Sequence, residues 1–426
     1  MSSGQTTPDS VFRALLSPAG RRVVRAAEPG DVAADPLKAA TRLRRVAEEA
    51  LAEAAGEGTE AGAVAVPADA LAGAALTQAR LRGRAREKFG ARAERLYFTP
   101  DGLEQATRSP VAAYRARRLA AALPPDARVA DLCCGIGADM VAMAEAGLRV
   151  EGVDADPLTA AVAEANLAEL GLAERGRVRV GDAAAFDSRG FDAVFCDPAR
   201  RNARGRVFDP AAYSPPWPAV LAAASGAPAS CVKAAPGIPH EAIPADAEAE
   251  WISVDGDLKE TALWRGAGTP GGRRATLLRG TGGAPATLTA DPGAGPAPVG
   301  PPGRYLYEPD NAVVRAHLVA EAAALVGGAL LDPHIAYITA DRLVPTPFCR
   351  VLEVREVLPF SLKRLRAVLR ERGVGRVTIK KRGSAVDVDK LRRDLRPAGP
   401  ESAVVVLTRV GNRPISLVCS EVTGTE

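Results

Sequence analysis

From residue 9 to about residue 120 the apolar positions of this chain recur three and four apart. The stretch AATRLRRVAEEALAEAA (39–55) carries the pattern most plainly, and that spacing predicts amphipathic helices. No strand-like alternation interrupts them; AGEGTEAG (55–62) breaks the periodicity as a loop. After Asp126 the pattern changes. ARVADLCC (127–134) predicts a short buried strand, and GADMVAMAEAG (137–147) a helix closed by Gly147. RVEGVDAD (149–156) predicts a second strand, followed by a helix, PLTAAVAEANLAELG (157–171), that Pro157 begins and Gly171 stops. Strands RVRVGDA (177–183) and DAVFCD (192–197), a helix WPAVLAAAS (217–225) and a strand ASCVKAAP (229–236) continue the alternation. Strands and helices alternating at this spacing call for a parallel, doubly wound sheet. AEWISVDG (249–256) and RATLLRG (274–280) follow with little helix between them, as two final strands closing one edge.

Residues 281–303 are rich in Gly, Pro and Ala and predict a linker. Beyond them NAVVRAHLVAEAAALVG (311–327) reads as helix. The pieces from CRVLEVREVL (349–358) to PISLVCSE (414–421) then read strand, helix, strand, helix, strand, strand. The expected organisation is a helical N-terminal region (1–120), an α/β core (121–280), the linker (281–303) and a small α/β C-terminal domain (304–426).

A chain of 426 residues is too long for one average domain, in keeping with that division. No apolar run approaches the roughly eighteen residues a membrane helix needs. MSSGQTTPDS lacks the basic and apolar regions of a secretory signal, so the expected location is the cytoplasm. The six cysteines show no paired metal-ligand spacing, and reduced, mostly buried thiols are expected. With three scattered histidines, neither a zinc site nor a His-centred triad is expected, and no metal is assigned. The net charge is +4, but it is unevenly spread. From Asp341 onward there are eighteen Lys and Arg against ten Asp and Glu, about twice the surplus of the whole chain.

The chemistry concentrates in ADLCCGIGAD (130–139). Asp131 lies on the first strand, and Gly135 and Gly137 open a helix in a turn where backbone can approach a ligand without a Cβ in the way. Met140 stands where a dinucleotide fingerprint requires glycine, so that motif fails. Three more carboxylates follow in register. Asp154 ends the second strand, nineteen residues after Gly135, where an acid can grip two ribose hydroxyls; Asp182 follows the third strand, and Asp197 ends the fourth. Each alone could be a loop aspartate or a helix cap, but four in order beside a glycine turn mark the ligand edge of an open α/β sheet.

This set resembles the class I S-adenosylmethionine-dependent methyltransferases over about residues 110–280. The resemblance implies a Rossmann-like core that takes S-adenosylmethionine over the Gly135–Gly137 turn. It also implies ribose on Asp154, adenine near Asp182, and Asp131 orienting the methionine end or the turn itself. In that family the fourth strand ends where the methyl group meets its acceptor, which implies that Asp197, fixed by Pro198, holds the acceptor. Amino-methylating DNA and RNA enzymes carry Asn/Asp-Pro-Pro-aromatic at this point. Here Ala199 and Arg200 follow Pro198, and the departure counts against exocyclic-amine methylation. DPAR is closer to the Asp-Pro-Pro-Arg turn of RNA uracil-C5 methyltransferases, but the partner context their nucleophilic cysteine needs is not evident around Cys231. Arg200 and Arg201 could hold a phosphate, or pair with a surface acid.

YSPPWP (213–218) offers Trp217 either as a helix start or as a wall of the acceptor pocket, and Lys233 and Glu260 sit near strand ends with no assigned role. The whole layout resembles a bacterial methyltransferase group with a THUMP-like C-terminal domain: KFGARAERLYFTPDGLEQAT (88–107), DPARR (197–201), YLYEPDNAVVRAH (305–317), then the basic domain. THUMP-type modules accompany RNA-modifying enzymes, so the resemblance implies an RNA substrate, tRNA or rRNA. Lys380, Lys381 and Arg382 are a candidate phosphate contact, or lysines guarding a solvated sheet edge. Two rivals stand beside an RNA methyltransferase: a small-molecule methyltransferase, and a non-catalytic RNA-binding protein on the same scaffold.

Overall fold

The computed structural model describes residues 7–56, 66–199, 201–202, 205–206, 213–266 and 268–422. The chain divides into two compact units, Met1–Pro244 with Leu263–Thr269, and Ala245–Ala262 with Pro270–Glu426.

The first unit opens with helices α1 (Pro8–Leu15), α2 (Pro18–Ala26), α3 (Pro29–Ala34), α4 (Pro36–Gly56), α5 (Ala68–Phe89), α6 (Pro100–Gln105) and α7 (Ser109–Ala121). Five of the first six begin with proline, where the missing N–H costs nothing. The Thr7, Ser17 and Thr99 side chains cap α1, α2 and α6. Their apolar stripe buries Phe12, Leu15, Leu43, Leu71 and Phe98, and the same cluster takes in Ile136 and Val162 of the α/β core. The Gln78 amide on α5 accepts from the Phe98 N–H (3.0 Å) and donates to its carbonyl (2.8 Å).

The core alternates β1 (Arg128–Leu132), α8 (Ala138–Glu145), β2 (Arg149–Asp154), α9 (Pro157–Glu169), β3 (Gly176–Val180) and β4 (Ala193–Cys196). A two-residue ladder, β5 (Arg201–Asn202) and β6 (Gly205–Arg206), precedes α10 (Trp217–Ala224) and β7 (Ala229–Ala234). The strands lie parallel in the order β7-β4-β1-β2-β3. β1 and β4 are buried along nearly their whole length, as strands covered on both faces must be. Register sets the ligand edge: Leu132 lies opposite both Val153 and Cys196, and Cys196 opposite Val232. The next residues along, Cys133, Asp154, Asp197 and Lys233, therefore leave the sheet side by side.

One buried amide ties the helical region to this edge. Asn166 on α9 accepts from the Tyr97 N–H at 2.7 Å and donates to the Tyr97 and Ile136 carbonyls at 3.1 and 2.9 Å. Asn166→Ala strands three buried backbone groups. The expected cost is about 3 kcal/mol, read as a lower denaturant midpoint at unchanged slope. An unchanged midpoint would contradict this assignment.

In the second unit, β8 (Glu248–Val254) runs into β9 (Asp257–Arg265), and β8 pairs in parallel with β10 (Gly272–Leu278). β9 departs from the expectation of two closing strands; its burial is not alternating, so the period-two signal is missing. β11 (Ala286–Thr289), within the Gly/Pro-rich stretch, pairs antiparallel with β10. β12 (Tyr305–Pro309) leads into α11 (Asn311–Arg315) and α12 (Val319–Leu325), so the expected helix at 311–327 is in two pieces. The break is at His317, whose φ is +54°. β13 (Ala329–Asp332) and β14 (Ile335–Ala340) follow. Then β15 (Cys349–Pro359), α13 (Leu362–Glu371), β16 (Val374–Lys381), α14 (Val388–Leu395), β17 (Glu401–Val410) and β18 (Arg413–Glu421) reproduce the expected order of elements. Their sheet runs β13-β14-β12-β15-β18-β17-β16. Leu365, Leu369, Leu391 and Leu395 of α13 and α14 pack on one of its faces.

Candidate active site

A cavity of about 260 Å³ opens at the C-terminal ends of β1, β2, β4 and β7. Its lining includes Asp131, Cys133, Gly135, Asp139, Asp154, Asp197, Pro198 and Lys233. The helical region contributes too, through Asp101, Gly102 and Glu104–Thr107.

The floor is the turn after β1. Cys133, Gly135 and Gly137 have φ of +63°, +56° and +82°. A Cβ on Gly135 would meet nothing within 4 Å, so that backbone faces open space, whereas one on Gly137 would crowd Ala163 at 3.2 Å. Cys133 is an L-residue in the left-handed region, a cost of about 1 kcal/mol that glycine would avoid. All six cysteines are free thiols. A hydrogen bond with Cys133, then burial, hold the Cys196 thiol well above its ordinary range.

The carboxylates differ in what they hold. Asp154 Oδ2 accepts from the Gly135 N–H at 2.9 Å and Oδ1 from the Asp156 N–H at 3.0 Å. Burial raises its pKa, and these N–H groups pull it back. Asp139 receives Arg115 Nη2 at 2.5 Å and the Thr107 hydroxyl at 2.7 Å. Asp197 Oδ2 pairs with the ammonium of Lys233, which also donates to Thr107 Oγ1 at 3.0 Å. Asp131 is fully buried, and neither of its oxygens has a partner among the described residues. Burial first, then the charges of Asp139 and Asp197, push its carboxyl well above the usual range. A buried carboxyl with no partner among the described residues can ionise only when a cation arrives to pair with it. The α-ammonium of an amino-acid ligand fits that need, with Asp154 placed for a diol and Gly135 leaving backbone room.

The other expected residues fall as follows. Asp182 is exposed and caps a short turn, accepting from the Ala184 N–H at 2.8 Å; it is not among the cavity-lining residues. Pro198 lines the cavity, and Ala199 exchanges two backbone hydrogen bonds with Ser214, at 2.8 and 3.0 Å. Arg200 lies outside the described residues. Trp217 starts α10 with its indole N–H on the Ala242 carbonyl (3.1 Å) and its ring edge-on to Tyr213; it is buried packing, not a cavity wall. Glu260 is buried in β9. Lys380 pairs with Glu308, Lys381 donates to the Val386 carbonyl (3.1 Å), and Arg382 lies over the Tyr337 ring.

Thr107, Arg115 and Asp139 escaped the sequence analysis, as did Lys88. The Lys88 ammonium reaches the carbonyls of Leu103, Glu104 and Ala106 at 2.7, 2.6 and 3.0 Å and so fixes the loop that carries Thr107. Among the described residues there is no cluster of three or more His, Cys, Asp or Glu placed to hold a metal, and no helix long and apolar enough to cross a membrane.

A parallel sheet with a glycine turn after β1 and acids at successive strand ends is the architecture of a Rossmann-like, class I methyltransferase. Residues 129–205 match a methyltransferase-domain family, residues 349–421 a THUMP domain-like family, and residues 10–57 a domain family of unknown function. An S-adenosylmethionine-dependent methyltransferase of Mycobacterium tuberculosis, in strains H37Rv and CDC 1551, is 38% identical over 330 residues; the match covers 76% of this chain and 88% of that protein. The chain belongs to the S-adenosylmethionine-dependent methyltransferases, and S-adenosylmethionine is its cofactor. A crystal structure of a proposed methyltransferase from Porphyromonas gingivalis W83 is similar in fold, with a TM-score of 0.68 at 21% identity over 84% of this chain and 92% of that one.

Proposed function

We propose that the protein methylates a base in structured RNA, tRNA or rRNA, with Asp197 holding the acceptor. The observation that carries the acceptor site is Asp197 leaving β4 into the cavity that also holds the glycine turn and the unpaired Asp131. The RNA reading is supported by the THUMP-like match over 349–421 and by the cationic surplus after Asp341.

Asp131 takes the cofactor's ammonium, Gly135 and Gly137 give its backbone room, and Asp154 accepts from the ribose hydroxyls. Asp182, exposed and outside the cavity lining, is assigned to the adenine amino group. When bound, S-adenosylmethionine supplies an activated methyl group on a sulfonium. The chain's own contribution is alignment in a dry pocket. Asp197, stiffened by Pro198 and by the pairing of Ala199 with Ser214, holds an acceptor proton and keeps its lone pair aimed. Arg200 is assigned to a phosphate of the RNA.

The test is incubation of the full chain with methyl-labelled S-adenosylmethionine and total RNA from a strain lacking the gene. Label in ribonuclease-sensitive material is expected, with RNA binding that weakens steeply as salt rises. Label appearing only in a small-molecule fraction, or no salt dependence, would sink the RNA reading.

A further inference from the structure

Asp197 and Lys233 present two unused groups to the same cavity. Lys233 has an ammonium with three N–H groups on a side chain only 6% exposed. Two of them are used, by Asp197 Oδ2 and Thr107 Oγ1. Thr107 cannot turn away, since its hydroxyl donates to Asp139 and accepts from Arg115 at 3.1 Å as well. The third N–H of Lys233 has no partner among the described residues, and nor has Asp197 Oδ1. One hydrogen-bond acceptor and one cationic donor therefore stand next to each other where β4 and β7 end.

An exocyclic amine carries two N–H groups and would want two acceptors at this point, but one of Asp197's oxygens is already committed to Lys233. A single N–H beside a carbonyl oxygen matches instead. From this pairing we infer that the methyl acceptor is the ring nitrogen of a lactam edge, as in guanine or uracil, with its N–H on Asp197 Oδ1 and its carbonyl on Lys233. This inference rests on the acceptor role given to Asp197 above.

The chemistry calls for this pair. A lactam nitrogen has its lone pair drawn into the carbonyl and becomes nucleophilic as its proton leaves. Asp197 Oδ1 takes that proton, and Lys233 stabilises the negative charge that collects on the carbonyl oxygen. The freed nitrogen pair forms the bond to the methyl carbon as the carbon–sulfur bond breaks, with its electron pair passing to sulfur. The proton on Asp197 then leaves to water. Lys233 is a catalytic residue in this scheme; Thr107, which holds it in place, is a positioning residue.

The test uses the full chain, methyl-labelled S-adenosylmethionine and total RNA from a gene-deleted strain, followed by digestion to nucleosides and mass spectrometry. The expected product is 1-methylguanosine or 3-methyluridine. Methyl on an exocyclic amine, a ring carbon or a ribose oxygen overturns the inference, whatever any variant does. Lys233→Met should lower kcat at least about 100-fold, with S-adenosylmethionine affinity within about threefold of wild type by calorimetry. Its remaining activity should climb with pH, since a ring N–H without the cation must ionise unaided. Wild-type turnover by Lys233→Met, or a loss that pH does not relieve in a protein that still binds the cofactor, overturns it too. If Asp197→Asn stays active, the acceptor reading falls and this one with it. If Asp197→Asn is dead and Lys233→Met is not, only the present inference fails. Label that enters no RNA overturns both the RNA reading and the lactam base.

Discussion

Asp131→Asn should weaken S-adenosylmethionine binding on the order of 100-fold, close to 3 kcal/mol. The carboxyl is fully buried and neither oxygen has a partner among the described residues, so the incoming ammonium meets one carboxyl that can ionise to pair with it. The same geometry makes binding proton-linked. In the free protein, burial and then the neighbouring charges of Asp139 and Asp197 raise the Asp131 pKa and so favour its protonated form. An ammonium at hydrogen-bond distance lowers that pKa and expels the proton. Affinity should therefore rise with pH, by at most about tenfold per unit, and level off above the free protein's Asp131 pKa. The sign follows because the complex binds fewer protons than the free form. Calorimetry between pH 5 and 7, where the ligand's own amine stays charged, in buffers of different ionisation enthalpy, reads both affinity and proton release. Asp131→Asn should abolish the release. Equal affinity in the variant, or proton uptake on binding, would contradict the role.

The second large effect belongs to Asp197. Asp197→Asn should lower kcat by about 100- to 1000-fold while S-adenosylmethionine affinity stays within about threefold. Asparagine is the better probe than alanine. Lys233 is buried, and removing its only charged partner among the described residues would cost several kcal/mol of stability and confuse folding with turnover. The amide keeps an oxygen for Lys233 and loses the ability to take a proton. Full turnover by Asp197→Asn would remove the acceptor from this residue.

The strand-end acids could be read from sequence because a parallel sheet delivers each β-to-α turn to the same edge. Finding ADLCCGIGAD, VDAD, VGDA and FCDP in order was enough to gather Asp131, Asp154 and Asp197 near one another. What those residues do with their oxygens was not legible. Lys233 is thirty-six residues from Asp197 and meets it because β4 lies next to β7, a fact of strand order that no local pattern encodes. Thr107, Arg115 and Lys88 come from a region whose sequence shows only helical periodicity; Thr107 and Arg115 meet Asp139 of α8, and Lys88 holds the loop that carries Thr107. YSPPW follows Asp197 by more than fifteen residues, yet Ser214 and Ala199 are bridged. Trp217 reads in sequence as a helix start or a pocket wall; it starts α10, and its indole N–H goes to a backbone carbonyl. β12, β13 and β14 had no counterpart in the sequence reading, being short and without sustained alternation.

In the proposed site one cavity orders the cofactor from Asp131 through Asp154 and points its sulfur at Asp197 and Lys233. A crystal structure of the full chain with S-adenosylhomocysteine tests it most directly. The expected map shows the ammonium on Asp131, the ribose hydroxyls on Asp154, and the sulfur facing Asp197 Oδ1. Asp131 still unpartnered, or the sulfur turned away from Asp197, would contradict it.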